Sequence, residues 1–406
     1  MKIRIIFFIL PIIIGLVASM TGFSLVWRLF LLSILVPIIS YLWTYFNIRG
    51  IRAEIRTLPP KATVGEVLED RIKLTNSDKL PKLLLRVEEN TDIPGYSNIA
   101  AINLPSQGSY DLKTEVHCSL RGKYRLGSFK VSTHDPLGLF GRSRNFGQSQ
   151  EILVYPNLIE LPFFDPLTYV NQGYGSGRWL EHQISPNVSS IRDYVSGDSL
   201  RHIHWKSAAH SAKLMVKVFD PDRSHSSVKT IWVVLDMNRS SQVGSGIQST
   251  EEYGVTIAAS ILKRYIETGW PVGLIASAEQ RYYFAPEMGN HQLEQMATAL
   301  AVMKAHGNVP IEQVIAGEAA LFDINTMLIL ITPSWNEKLV SPIVQIKGQQ
   351  GVVVAVLMDP RSFGGGGMES APRSLALQGV QVYVTKKGDD LAGALDSRHL
   401  TTSNVL

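Results

Sequence analysis

The stretch Ile231-Trp232-Val233-Val234-Leu235-Asp236-Met237-Asn238-Arg239-Ser240 decides the reading of the C-terminal half of the chain. Five consecutive apolar residues end at a carboxylate. A short unbroken apolar run reads as a strand buried on both faces of a parallel sheet. Working downstream, Ile257, Ala258, Ile261, Leu262 and Tyr265 share one helical face between Glu251 and Gly269. Val272 to Ala276 reads as a strand, His291 to Met303 and Pro310 to Leu321 as helices, and Met327 to Ile331 and Val352 to Leu357 as two more buried strands. This alternation predicts a doubly wound α/β domain over residues 229–406. In such sheets the site lies beyond the carboxyl ends of the strands. There Asp236, Asn238 and Ser240 alternate along one loop, which would bring three oxygen side chains within reach of one hard cation, with Mg²⁺ the natural choice. The competing reading is that Asp236 only caps the loop.

Upstream the pattern changes. Residues 50–160 carry short apolar runs separated by Asn76-Ser77-Asp78, Pro94-Gly95, Pro105-Ser106 and Gly108-Ser109, which is turn chemistry. Leu83, Leu85 and Val87 alternate with Leu84, Arg86 and Glu88. A β-sandwich is expected here. Residues 161–228 read as a connecting region. Its densest polar stretch runs from Arg192 through Tyr194, Gly197, Asp198, Arg201, His204, Trp205 and Lys206 to Ala209. Asp198 or Ser199 can cap a short helix reaching about Ala212, followed by a strand through Leu214, Val216 and Val218.

The first fifty residues are a third kind of segment. Ile5–Trp27 and Leu29–Ile48 are free of charge apart from the Arg28 between them. The expected split is a helix over about 5–20, a turn through Thr21, Gly22, Phe23 and Ser24, and a helix over about 28–46, a two-helix transmembrane anchor over residues 1–48. A cleaved signal peptide is disfavoured, because a second apolar segment follows at once. Lys2 and Arg4 precede the pair, and Arg49, Arg52 and Arg56 follow it. The positive-inside rule therefore places both ends and the body in the cytoplasm, with Tyr41, Trp43, Tyr45 and Phe46 as an aromatic belt at the inner face.

Of the 406 residues, 45% are hydrophobic and 18% charged, which excludes a disordered chain, a collagen and a coiled-coil rod. Lys2, Arg4, Arg28 and Arg49 are the charges of the first fifty residues. Removing these four from 39 basic residues leaves 35 against 35 acidic ones, so the net +4 belongs to the apolar segment. A formally neutral body argues against nucleic acid as a partner. Cys118 is the single cysteine and cannot form an intramolecular disulfide. His182, His202, His204, His210 and His225 cluster without cysteine and do not form a zinc set. No Gly-x-Ser-x-Gly elbow and no phosphate-binding Gly-rich loop ending in Lys-Ser or Lys-Thr is present.

Arg192, Tyr194, Gly197-Asp198, Arg201, Ile203-His204-Trp205, Ser207-Ala208 and the run Leu214 to Lys217 resemble the hallmark of the bacterial and archaeal family called domain of unknown function 58. Arg121-Gly122, Tyr124, Leu126-Gly127 and Asp135-Pro136-Leu137-Gly138-Leu139-Phe140 are similar to that family too. The resemblance implies a C-terminal domain like von Willebrand factor A. Such domains hold a divalent metal through Asp-x-Ser-x-Ser, a later Thr and a later Asp. Here Asn238 replaces the first Ser, Gly307-Asn308-Val309 has no Thr, and Thr332-Pro333 stand where the last Asp belongs. The resemblance also implies MoxR-type AAA+ ATPases and transglutaminase-like membrane proteins as partners.

The expected whole is a multi-domain α+β protein of the cell membrane, a non-enzymatic adaptor working with an AAA+ ATPase. The site residues are Arg192, Tyr194, Gly197, Asp198, Arg201, His204, Trp205 and Lys206 for partner contact, with Asp236, Asn238 and Ser240 as a degenerate metal edge. The alternative is a metal-assisted hydrolase using Asp198 and His204 near Asp236.

Overall fold

A computed structural model describes residues 2–55, 58–166, 188–194, 203–211, 213–219, 228–366 and 371–399. The protein is mixed α+β, with an apolar N-terminal helical segment and several sheets. The chain divides into two compact units, Met1–Asn157 and Leu158–Leu406.

The first unit opens with α1 (Lys2–Thr21) and α2 (Ser24–Ile48). Only Gly22 and Phe23 separate them, so α2 starts at Ser24, ahead of the expected start near Arg28, and Arg28 lies inside it. Among the described residues α2 is the one helix long and apolar enough to cross a membrane, and α1 carries a shorter apolar stretch, Ile9–Thr21. Ten strands follow: β1 (Ile51–Ile55), β2 (Lys61–Thr63), β3 (Val67–Asn76), β4 (Lys82–Asn90), β5 (Ile99–Leu104), β6 (Ser109–His117), β7 (Gly122–Leu126), β8 (Ser128–His134), β9 (Gly141–Phe146) and β10 (Gln150–Tyr155). They form sheets ordered β1-β3-β6, β2-β10-β7 and β5-β4-β8-β9. Strict alternation along β3 sends Leu68, Ile72 and Leu74 inward. Ile51, Ile72 and Leu74 meet Leu85, Val87, Ile102, Phe129 and Val131 from the facing four-stranded sheet.

The alternation expected for β4 is broken. Leu84 has φ +51°, and the pairing of β4 with β5 shifts between Lys82 and Leu85. This bulge turns both Leu83 and Leu84 outward and buries Lys82 in their place. The displaced lysine is used. Its Nζ donates to the Phe46 carbonyl at 2.6 Å and to Asp78 Oδ2 at 2.9 Å, placing a cation on the negative end of α2. Asn47 completes the junction. Its amide accepts the Leu83 N–H (2.9 Å) and donates to the Leu83 carbonyl (2.7 Å) and to Thr133 Oγ1 (2.6 Å). The end of α2 is thus hydrogen-bonded to β4 and β8.

In the second unit, β11 (Val188–Asp193), α3 (Trp205–Ser211) and β12 (Met215–Phe219) precede the main sheet. That sheet is built from β13 (Thr230–Leu235), α4 (Thr250–Glu267), β14 (Val272–Ser277), β15 (Arg281–Glu287), α5 (Asn290–Val302), α6 (Ile311–Gly317), β16 (Thr326–Thr332), α7 (Val340–Gly348), β17 (Val352–Met358), α8 (Ala371–Leu377), β18 (Gln381–Thr385) and α9 (Leu391–Ala394). The strand order is β15-β14-β13-β16-β17-β18, parallel except for the antiparallel edge strand β15. Ile231, Val233 and Leu235 face the core made with α4 and α5, while Trp232 and Val234 face a second core with α6, α7 and Leu375. Both faces of the sheet are therefore covered, which is why β13 and β16 are apolar at nearly every position.

Two expectations change here. The described helix begins at Trp205, after Ile203, which is extended and bridges Val216; Asp198 and Ser199, the expected caps, lie outside the described residues. Strands β15 and β18 and helix α7 were not foreseen.

Candidate functional site

Asp236 lies at the carboxyl end of β13, beside the end of β16. The chain order reverses between these two strands, and crevices at such switch points are where α/β sheets bind ligands. Asp236 is buried, and both oxygens of its carboxylate accept hydrogen bonds. Oδ1 accepts the Asn238 N–H at 2.9 Å, and Oδ2 accepts the hydroxyls of Thr332 (2.6 Å) and Ser241 (3.0 Å). The side chains of Asn238 and Ser240 make no hydrogen bond to Asp236. The Asn238 side-chain carbonyl accepts both the N–H and the hydroxyl of Ser240, at 2.8 and 2.7 Å. Burial pushes the Asp236 carboxyl above its ordinary range, these hydrogen bonds oppose the shift, and the charge of Glu312 adds to it.

The loop is clamped from the other side by Gly307, which pairs with Asn238 as a parallel bridge. Arg239 N–H donates to the Gly307 carbonyl, and Gly307 N–H to the Met237 carbonyl. A β-carbon at position 307 would sit 2.1 Å from the Ser277 carbonyl oxygen, so only glycine lets these backbones approach. Gly307 heads the segment where the metal-binding Thr was sought.

A Mg²⁺ here would compete with hydrogen bonds that the donor set already makes. Such an ion is held by one or two carboxylates and completes its octahedron with waters. Here both carboxylate oxygens and the Asn238 carbonyl already accept donors from the protein. The three-oxygen set expected from Asp236, Asn238 and Ser240 is divided into two hydrogen-bonded groups, and Ser241 and Thr332 are the partners that sequence spacing missed. Among the described residues there is no group of three or more His, Cys, Asp and Glu placed to hold a metal.

The second set of expected site residues surrounds the β11–β12 hairpin, in which Arg192 pairs with Val216 and Asp193 with Met215. Tyr194 N–H donates to the Leu214 carbonyl at 2.9 Å, extending the hairpin. His204 is the residue before α3. Its N–H donates to the Met215 carbonyl, and its Nδ1 accepts the Ser207 N–H at 3.1 Å and lies 2.8 Å from the Ser207 hydroxyl. That is the position and the bond of a helix cap. Trp205 is 68% exposed, and Lys206 is exposed beside it. Gly197, Asp198 and Arg201 lie outside the described residues, as do His182, His202 and His225.

A third polar cluster, in the first unit, was not anticipated. The inward face of β3 includes Asp70, which is fully buried and lies beside the buried Glu89 of β4. Glu89 accepts the Tyr96 hydroxyl at 2.8 Å. Burial first, and then the neighbouring Asp70 charge, push the Glu89 carboxyl up to about 7 against the opposing Tyr96 and Gly127 hydrogen bonds. The signal was available, since Leu68, Asp70, Ile72 and Leu74 share one face of a period-two pattern.

The second unit is an α/β domain in which Asp236, at the carboxyl end of β13, is hydrogen-bonded by Ser241 and Thr332. Residues 190–361 match a family model described as Protein of unknown function DUF58, a span containing the hairpin, α3 and the Asp236 loop. An uncharacterized protein of Bacillus subtilis (strain 168), YeaD, is 29% identical over 199 residues, 48% of this chain and 46% of the relative. The chain thus spans about half the length of the curated relative it matches. Among solved structures, the CARDB domain of a Pyrococcus furiosus protein is 16% identical, with 26% of this chain and 94% of that one covered at a TM-score of 0.21. A β-glucosidase from Listeria innocua in complex with glucose is 14% identical, with 26% and 16% covered at a TM-score of 0.18. Overlap of that size does not define a shared fold.

Proposed function

We propose that the protein is a membrane-anchored, non-enzymatic interaction module whose α/β domain captures a MoxR-type AAA+ ATPase. In this reading α2 crosses the membrane, α1 returns as the other half of a two-helix anchor, and both ends of the chain are cytoplasmic. The second unit acts as a von Willebrand factor A-like domain, a resemblance supported by its doubly covered parallel sheet and by Asp236 at the carboxyl end of β13.

The observation that carries the proposal is the hydrogen bonding of Asp236. Each oxygen of its carboxylate has a partner inside the protein, which favours a shaped surface over a reactive group. Beside this stands the exposed Trp205 on α3, within the matched family segment. A large exposed aromatic flanked by a cation is the residue type that dominates protein interfaces. Arg192, Tyr194, Gly197, Asp198, Arg201, His204 and Lys206 are assigned to shaping and rimming that contact. A transglutaminase-like membrane protein is the second partner expected.

Capture of the ATPase by tagged full-length protein, after cross-linking in cells, tests the reading by mass spectrometry. Trp205→Ala is expected to lower recovery about tenfold, the loss of one hot-spot side chain. Asp236→Ala should lower it by unlocking the loop, and a chelator should leave it unchanged. Equal recovery by wild type and Trp205→Ala, or ester or phosphate turnover by the full chain that His204→Ala abolishes, would replace this proposal with the hydrolase reading.

A further inference from the structure

The junction between α2 and the first unit carries an unusual set of leucines. Leu80 is 56% exposed, Leu83 39% and Leu84 67%, all within five residues of the turn and bulge that open β4. Leu137, 53% exposed, projects from the turn between β8 and β9. The two groups belong together. Antiparallel pairing of β4 with β8 brings the start of one beside the end of the other, and Asn47 holds both, through Leu83 and through Thr133.

Their height along α2 is set by direct contacts. Leu83 is tied to Asn47, in the last turn of the helix. The turn bearing Leu137 reaches further back, since Phe140 packs edge-on against Tyr41 with ring centroids 5.7 Å apart. Arg142 next to it donates to the Tyr41 hydroxyl at 2.9 Å and lies over the Tyr41 and Tyr45 rings. Six residues separate Tyr41 from Asn47, about 9 Å of helix axis. Leu83 and the turn bearing Leu137 therefore lie beside the last two turns of α2, level with its aromatic residues, and α2 itself exposes Ile38, Ile39, Leu42 and Phe46.

Leu84 adds a second kind of observation. A branched residue with positive φ costs stability, and its side chain gains no burial in return. An exposed leucine held in a strained conformation marks a surface that the bulge was shaped to present. The cations nearby, Lys79, Arg49 and Arg144, are exposed, whereas Asp78 is bonded to Lys82 and Asp135 is buried capping its own turn.

We propose that Leu80, Leu83, Leu84 and Leu137 form a rim that inserts into the interfacial region of the lipid bilayer around the exit of α2, fixing the β-sandwich against the membrane. The occupant is lipid because the rim lies beside the end of the exposed apolar anchor helix, and apolar side chains beside exposed cations are the chemistry that interfacial segments use. This inference rests on the membrane-anchor reading.

The test uses full-length protein in phosphatidylcholine–phosphatidylglycerol vesicles, with single fluorescent labels at Leu84→Cys, Leu137→Cys, Leu32→Cys and Glu66→Cys in a Cys118→Ser background. Glu66 adjoins the end of β3 opposite Asn76, about 30 Å away along the strand. Labels at 84 and 137 should show blue-shifted emission and be quenched by lipids spin-labelled near the headgroup, while the label at 66 is not. The label at 32 should be quenched from the bilayer centre. Quenching at 32 with aqueous behaviour at 84 and 137 would overturn the rim and leave the anchor intact. If 84 and 137 became protected only in native membranes, the rim would be a protein-docking surface and the lipid proposal would fall. Aqueous behaviour at 32 would overturn the anchor reading itself. Matched circular dichroism of the labelled variants separates each result from misfolding.

Discussion

Glu89 is a residue whose chemistry departs from what a surface-biased amino acid normally shows. It is buried beside Asp70, with Tyr96 and the Gly127 N–H as its hydrogen-bond partners, and its carboxyl is pushed up to about 7. The folded protein keeps a proton that the unfolded chain releases in the ordinary carboxylate range. Between that range and about pH 7 the native state binds more protons, so stability falls as pH rises through the interval. Glu89→Gln is expected to flatten the decline, and thermal melts of wild type and variant from pH 5 to pH 8 check it. A wild-type midpoint that rises across that interval would contradict the assignment. At the other polar cluster, the sequence showed the position of Asp236 but not its partners. Thr332 lies 96 residues away, and only the pairing of β13 with β16 brings the two together.

At the scale of elements, the long apolar strands were legible because burial on both faces of a parallel sheet leaves no room for alternation. Strands β15 and β18 were not, since their apolar runs, Tyr282 to Ala285 and Val382 to Val384, are short and flanked by polar residues. In β4, three successive leucines fit two opposite phases of alternation equally well. The bulge at Leu84 selects one phase, and nothing local in Lys82-Leu83-Leu84-Leu85 announces it. Asparagine tolerates left-handed backbone far better than leucine. Leu84→Asn should therefore relieve roughly 1 kcal/mol of backbone strain and raise the melting midpoint in detergent by about 3 °C. A lowered midpoint would mean that Leu84 packs in solution, and the bulge would need another explanation. The α3 boundary follows the same rule: Ile203 is held extended by Val216, so the helix starts only after His204 has capped it.

For the molecule as a whole, the anchor reading makes a prediction about sidedness. Lys2, Arg4, Arg49 and Arg52 flank the apolar segment, so the body should lie in the cytoplasm. An impermeant maleimide applied to intact cells should leave Glu66→Cys unmodified and should label it after permeabilisation. Native Cys118 does not interfere, because it is buried and burial pushes its thiol up. Labelling of intact cells would place the body outside and would remove a cytoplasmic ATPase from consideration.

Three features were legible in the chain before folding: the apolar N-terminal segment, the β-rich stretch that follows and the alternating α/β pattern of the C-terminal half. Each of these is written in hydrophobic periodicity, a property of near neighbours in the chain. Tertiary structure alone decided which polar groups meet. The Asp236–Thr332 bond, the Asp70–Glu89 pair and the clasp of Asn47 on β4 and β8 each join residues brought together by packing, and side-chain spacing along the chain carries no record of such distances.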